Sequence, residues 1–140
     1  MKKLITTLSL LLIQIVALGQ SPTKAANVWL DEHYAGLKDL EWERDAHDNY
    51  EAQFKHGGLK YRVDFDSSGH WIETERSIKW SDLPDAVKEA LKHDEQFDKK
   101  EIAELEWVNS SKYGEFYEIE IKDKGKNTDL NYKPDGTRIN

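Results

Sequence analysis

Two stretches of this sequence match each other at a fixed offset of 67 residues. Tyr50-Glu51-Ala52-Gln53-Phe54-Lys55 is answered by Tyr117-Glu118-Ile119-Glu120-Ile121-Lys122. Gly58, Val63, Phe65, Gly69 and Ile72 are answered, without a gap, by Gly125, Leu130, Tyr132, Gly136 and Ile139. Upstream, Leu40-Glu41-Trp42 recurs as Leu105-Glu106-Trp107 at an offset of 65. An internal match of this kind predicts two copies of one small supersecondary unit. It names no ligand and no reaction.

Hydrophobic periodicity gives the content of each unit. Val28, Leu30, Tyr34 and Leu37 follow helical spacing, which predicts a helix over about 25–37 that stops at Gly36. The period then falls to two through four segments carrying Trp42, Tyr50 to Phe54, Tyr61 to Phe65, and Trp71 to Glu75. His47-Asp48-Asn49, His56-Gly57-Gly58 and Asp66 to Gly69 are turn chemistry, and such short breaks mean antiparallel hairpins. The second half repeats the order. Ser81 or Asp82 is placed to cap a helix carrying Leu83, Val87, Ala90 and Leu91. Four further strand patterns follow, at about 101–109, 115–122, 128–132 and 137–139. The fold class expected is α+β, with two tandem helix-plus-four-strand antiparallel units at about 25–77 and 78–140 and the helices on one face. Ile78-Lys79-Trp80 joins the units and is too apolar for a free tether, so Trp80 is expected to be buried.

The first nineteen residues read as a separate object. Lys2 and Lys3 precede an apolar run, and Ala17-Leu18-Gly19 offers the small residues a signal peptidase requires. Cleavage before Gln20 is the expectation, with an uncleaved N-terminal anchor as the alternative. The run is short for a membrane span. Residues 20–140 are then a single domain made of the two units. That segment carries 18 basic and 27 acidic side chains, a formal charge of −9. Its basic residues are dispersed, so neither nucleic acid nor an anionic membrane surface is an expected partner. The chain has no cysteine, so its stability must come from its core. Halves of about 55 residues would each be marginal alone, which implies a shared sheet or core.

Four stretches taken together resemble a known family. They are Leu40-Glu41-Trp42, Tyr50 to Phe54, Phe65-Asp66 with Gly69-His70-Trp71-Ile72-Glu73-Thr74-Glu75, and Asp82-Leu83-Pro84-Asp85-Ala86-Val87. In this order they are similar to the PepSY-like, β-lactamase-inhibitor-protein-like family of secreted bacterial proteins. The resemblance covers about residues 28–139. It implies tandem helix-plus-four-strand units and export to the periplasm or beyond. It implies no activity, because fold does not license function.

Chemistry finds few footholds. Counted from Asp64, the run through Asp66, Ser68, Gly69 and Glu75 has the spacing of a calcium-binding loop, D-x-D-x-S-G-x5-E. Such a loop lies between helices, whereas both flanks here alternate with period two, so a hairpin turn is the simpler account. The five histidines are scattered and no thiol accompanies them, so no transition-metal site is expected. No phosphate loop and no nucleophile elbow is present, and no catalytic residue is assigned. Glu73 and Glu75 would share a strand face, as the paired carboxylates of a hydrolase must, but the surface is acidic throughout.

The two sheet faces differ. Tyr50, Ala52, Phe54, Tyr61, Val63, Phe65, Tyr117, Ile119, Ile121, Leu130 and Tyr132 fall on one, expected under the helices. Glu41, Glu43, Glu51, Gln53, Lys60, Arg62, Glu73, Glu75, Glu118 and Glu120 fall on the other. Trp71 joins this second face if Ile72 points inward. There it would either anchor a partner or pack across neighbouring Lys and Arg stems. The sequence thus leads to an exported, non-enzymatic module, without cofactor or metal, that binds a protein or peptide through an open acidic face. Trp71, Arg62, Glu73 and Glu75 are the candidate binding residues. A calcium-responsive envelope protein and a small hydrolase are the alternatives.

Overall fold

The structure, a computed structural model, describes residues 22–139. The signal segment expected at residues 1–19 lies outside them. Helix α1 spans Lys24–His33 and opens at Thr23, whose Oγ1 accepts the Ala26 N–H at 3.2 Å. It buries Ala26 and Leu30, four residues apart on one stripe, and leaves Val28 exposed. The helix stops about one turn sooner than its apolar spacing suggests. Tyr34 leaves helical geometry and turns its ring onto Phe54 and Tyr61, at centroid distances of 5.0 and 5.4 Å.

Strands β1 (Glu41–Arg44), β2 (Tyr50–His56), β3 (Leu59–Phe65) and β4 (Trp71–Ser77) follow. A 3₁₀ turn at Trp80–Asp82 leads to α2 (Asp85–Lys92). Asp82 does not cap α2 as its position suggested. Its carboxylate accepts the Lys79 N–H at 2.9 Å and closes the 3₁₀ turn, while Pro84 precedes α2 with its preset φ. After a second 3₁₀ turn at Lys99–Glu101 come β5 (Ile102–Ser110), β6 (Gly114–Asp123), β7 (Lys126–Tyr132) and β8 (Arg138–Ile139).

All eight strands form one antiparallel sheet in sequence order. The halves are joined inside it: Glu73 to Ser77 of β4 pair with Ser110 to Glu106 of β5. The cross-strand register carries one face through the whole sheet. Val63, Thr74 and Asn109 stand side by side, as do Arg76, Trp107, Tyr117 and Tyr132. On that face lie two apolar clusters. One packs Ala26 and Leu30 of α1 onto Tyr50, Ala52, Phe54, Val63 and Phe65. The other packs Leu83, Val87 and Leu91 onto Ile119, Ile121, Leu130 and Tyr132. Trp80 is only half-buried, which corrects the expectation of full burial. The 3₁₀ turn carries it to the rim of the second cluster, where it stacks on Phe97 and receives the Lys99 ammonium 4.5 Å over its ring.

Candidate functional site

The face away from the helices is built by strand alternation. Glu51 and Gln53 of β2, Arg62 and Asp64 of β3, and Glu73 and Glu75 of β4 point to it. Glu104 and Glu106 of β5, Glu118 and Glu120 of β6, and Asp129 of β7 continue it. The register sets like charges opposite one another: Glu51 beside Asp64, Asp64 beside Glu73, Glu106 beside Glu118, Glu104 beside Glu120, and Glu120 beside Asp129. Such pairs oppose sheet formation.

Arg62 is the cation at the centre. Its guanidinium bonds Glu75 and reaches Glu106 at 3.0 Å. The two carboxylates are nearly buried, with side-chain exposures of 11% and 10%. Asp64, Glu73 and Glu75 bring carboxylate oxygens within 4.8 Å of one another. Beside them runs a groove of about 770 Å³, with Glu41, Gln53, Lys60, Arg62, Glu104 and Glu106 among its walls.

The electrostatics follow from this crowding. Burial, then the charges of Glu51, Glu75 and Glu73, pushes Asp64 up to about 7. Burial outweighs Arg62 and lifts Glu106 to about 7. Burial, then Glu75, Asp129 and Glu106, lifts Glu118 to about 7. Burial raises Glu73 and Glu75 as well. The face is therefore a set of carboxylates that take up protons more readily than free side chains do.

The structure brings Arg62, Glu73 and Glu75 together on this face and removes Trp71 from it. Counting by twos puts Trp71 with Glu73 and Glu75, but a register shift intervenes. Phe65 pairs with Trp71 and Asp64 with Glu73, which leaves Ile72 as an extra residue. Trp71 therefore faces the helices, lies parallel to Trp29 at 6.0 Å and donates from Nε1 to Thr74 Oγ1 at 2.9 Å. A bulge carries no signature in a two-residue alternation, so parity alone could not find it. Asp64, Glu104, Glu106 and Asp129 are the face residues that sequence reasoning did not assign. The alternation of Glu104 and Glu106 about the inward Leu105 was the available signal for two of them.

The calcium-loop spacing resolves into a hairpin turn. The Asp66 carboxylate accepts the backbone N–H groups of Ser68 and His70, at 2.8 and 2.9 Å, between two strands. Asp66 thus serves the turn, while Asp64 and Glu75 meet on the open face through the β3–β4 pairing.

Residues 48–140 match the family described as β-lactamase-inhibitor-like, PepSY-like. Among curated proteins, none matches the chain. Similar solved structures include a DUF2874 family protein from Bacteroides ovatus, at 19% identity and a TM-score of 0.73, covering 87% of each chain. A protein of Bacteroides eggerthii named as a candidate periplasmic protein has 19% identity and a TM-score of 0.73, covering 86% of this chain and 87% of its own. A BLIP-like protein from Bacteroides fragilis has 20% identity and a TM-score of 0.69, covering 86% and 84%. At these identities the likeness is one of fold. Among the described residues no helix is long and apolar enough to cross a membrane.

Proposed function

This chain belongs to the β-lactamase-inhibitor-like, PepSY-like family, and on that premise we propose that it is an exported, non-enzymatic module that binds a protein or peptide through its open acidic face. The observation that carries this is the set of acid–acid cross-strand pairs gathered around one guanidinium. Such pairs cost stability, and they are offset when a partner brings lysine or arginine side chains to the face. Complementary charge also speeds encounter. The N-terminal segment supports export, to the periplasm or outside the cell.

Glu43 and Glu104 are exposed on this face and hold no part of the core, so they can be reversed without disturbing the fold. Crosslinking with mass spectrometry in the native cell is expected to capture a partner whose yield falls at least about tenfold for the Glu43→Lys, Glu104→Lys double variant. Unchanged capture by a variant that melts normally would remove the open face from the interaction.

A second reading is a calcium-responsive protein, favoured by the convergence of Asp64, Glu73 and Glu75. Hard cations take oxygen ligands, and extracellular calcium sites work at about 0.1–1 mM. Calorimetry should then show heat on adding calcium at such concentrations, lost in Glu73→Gln. Absence of heat, with no rise in melting temperature, would end this reading.

We propose further that the chain comprises two copies of one unit. In support, Gly69 and Gly136 occupy equivalent turns, and each turn meets the start of its own helix, at Thr23 and at Ala86. Residues 20–77 and 81–140, expressed separately, are expected to show no cooperative melt, since each would carry an unpaired long edge at β4 or β5. Two sharp transitions would mean autonomous domains.

A further inference from the structure

On the helix-bearing face, between the two apolar clusters, lies a cleft of about 300 Å³. Trp29, His33, Tyr34, Trp71, Thr74, Trp107 and Asn109 line it. Three of the chain's five tryptophans therefore meet at the seam between the halves. A volume of this size suits a molecule built on a single ring, at the small end of ligand pockets.

Arg76 lies just outside the lining, beside the Trp107 wall. It stands opposite Trp107 across β4 and β5, one rung from the Thr74–Asn109 pair and on the same face. Its guanidinium lies 5.2 Å over the Trp107 ring. Burial raises the Tyr34 phenol, and the Arg76 charge opposes that rise, so the guanidinium acts on both walls. The other three arginines, Arg44, Arg62 and Arg138, each salt-bridge to Asp or Glu. Arg76 makes no such salt bridge among the described residues, Asp82 acting on it only as a more distant charge, and its Nε is buried with no hydrogen-bond acceptor. A cation partly withdrawn from water without an anion is unfavourable, and a bound anion would relieve it.

Aromatic walls and an unpaired guanidinium define one ligand chemistry. We propose that this cleft binds a small planar carboxylate, with its ring against Trp71 and Trp107 and its carboxylate on the Arg76 guanidinium. Few hydrogen-bonding groups are available in the walls. The Thr74 hydroxyl accepts from Trp71 Nε1 and also bonds the Tyr34 phenol, and His33 Nδ1 lies 2.7 Å from the Trp29 carbonyl oxygen, so the Asn109 amide and the outer His33 nitrogen are the polar groups left to a ligand. A polyhydroxylated ring would leave its hydroxyls unmatched there, whereas an aromatic acid would not. A free aromatic acid and the C-terminal aromatic residue of a peptide share this ring-plus-carboxylate chemistry. The site lies on the face opposite the acidic one and is independent of it.

The test is an NMR titration of the protein, following the tryptophan indole N–H signals. The probes are N-acetylphenylalanine, N-acetylphenylalaninamide, phenylacetate and acetate, up to about 20 mM, since one-ring ligands bind in the millimolar range. N-acetylphenylalanine is expected to move the Trp71 and Trp107 signals saturably. The amide, lacking the charge, should bind about tenfold more weakly, and acetate, lacking the ring, should not saturate. Tighter binding of N-acetylphenylalanine than of phenylacetate would point to a peptide C-terminus, and the reverse to a free acid. Arg76→Met should abolish the preference for acid over amide, and Arg76→Lys should retain part of it. Should Arg76→Met fail to fold, added salt must weaken the acid and spare the amide in the unaltered protein. Equal binding of acid and amide, or no saturable shift with either aromatic acid, would overturn the proposal.

Discussion

Replacing Arg62 with leucine is expected to destabilise the protein by about 2–3 kcal/mol near pH 8 and by much less near pH 5. The variant leaves Glu75 and Glu106 nearly buried and without their shared cation. Breaking a buried pair costs about 3–5 kcal/mol. Arg62 itself is about a third exposed, so solvent screening reduces that figure. The pH dependence has a definite sign. Asp64, Glu106 and Glu118 have folded-state values raised to about 7, well above those of unfolded carboxylates. The folded chain therefore holds more protons than the unfolded chain between about pH 4.5 and 7. Stability from these groups is present below that window and is lost as the pH rises through it. The unaltered protein should accordingly be more stable near pH 5 than near pH 8. Below about pH 4 the trend reverses, because Asp45, Asp66 and Asp135, held by backbone N–H groups, titrate lower than usual. Urea melts of both proteins at the two pH values decide the matter. A variant equally destabilised at both would mean that Arg62 acts through packing of its stem, not through charge.

Gly69→Ala is expected to cost about 2–5 kcal/mol, combining left-handed backbone strain of about 1–2 with overpacking of about 1–3. Gly69 has φ +88, and an added Cβ would stand 1.9 Å from Thr23 Oγ1 and 3.0 Å from the Ala26 backbone nitrogen. The first contact would dislodge the hydroxyl that caps α1, and the second meets the helix itself. Gly136→Ala should act in the same way on α2, because its Cβ would lie 2.7 Å from the Ala86 carbonyl oxygen. Gly125→Ala is the control. It has φ +83, but nothing lies within 4 Å of its Cβ, so only the strain of about 1–2 kcal/mol remains. Thermal melts should rank Gly69→Ala and Gly136→Ala together, well below Gly125→Ala. Equal losses at all three would mean that the turns do not bear on the helices.

Local chemistry made most of the elements legible. Alternation with period two marks the strands because successive side chains must point to opposite faces of a pleated sheet. It separated Phe54, Val63, Ile119 and Leu130, which are buried, from Arg62, Glu73 and Glu75, which share the other face. Glycine and Asx chemistry marked the hairpin turns, because left-handed φ values there exclude most other residues.

The α+β class, the strands, and most of the partition between an apolar and an acidic face are thus written in the chain, since each depends on nearest neighbours along it. Long-range pairing set the rest. The bulge at Ile72 reversed Trp71 because inserting one residue flips every position beyond it, and pairing with β3 alone sets where that residue goes. Glu106 meets Arg62 only because β4 and β5 pair across the join between the halves. Arg76 comes to lie over Trp107 by the same pairing. Register across distant strands is set by the packing of the whole sheet, and no local pattern encodes it.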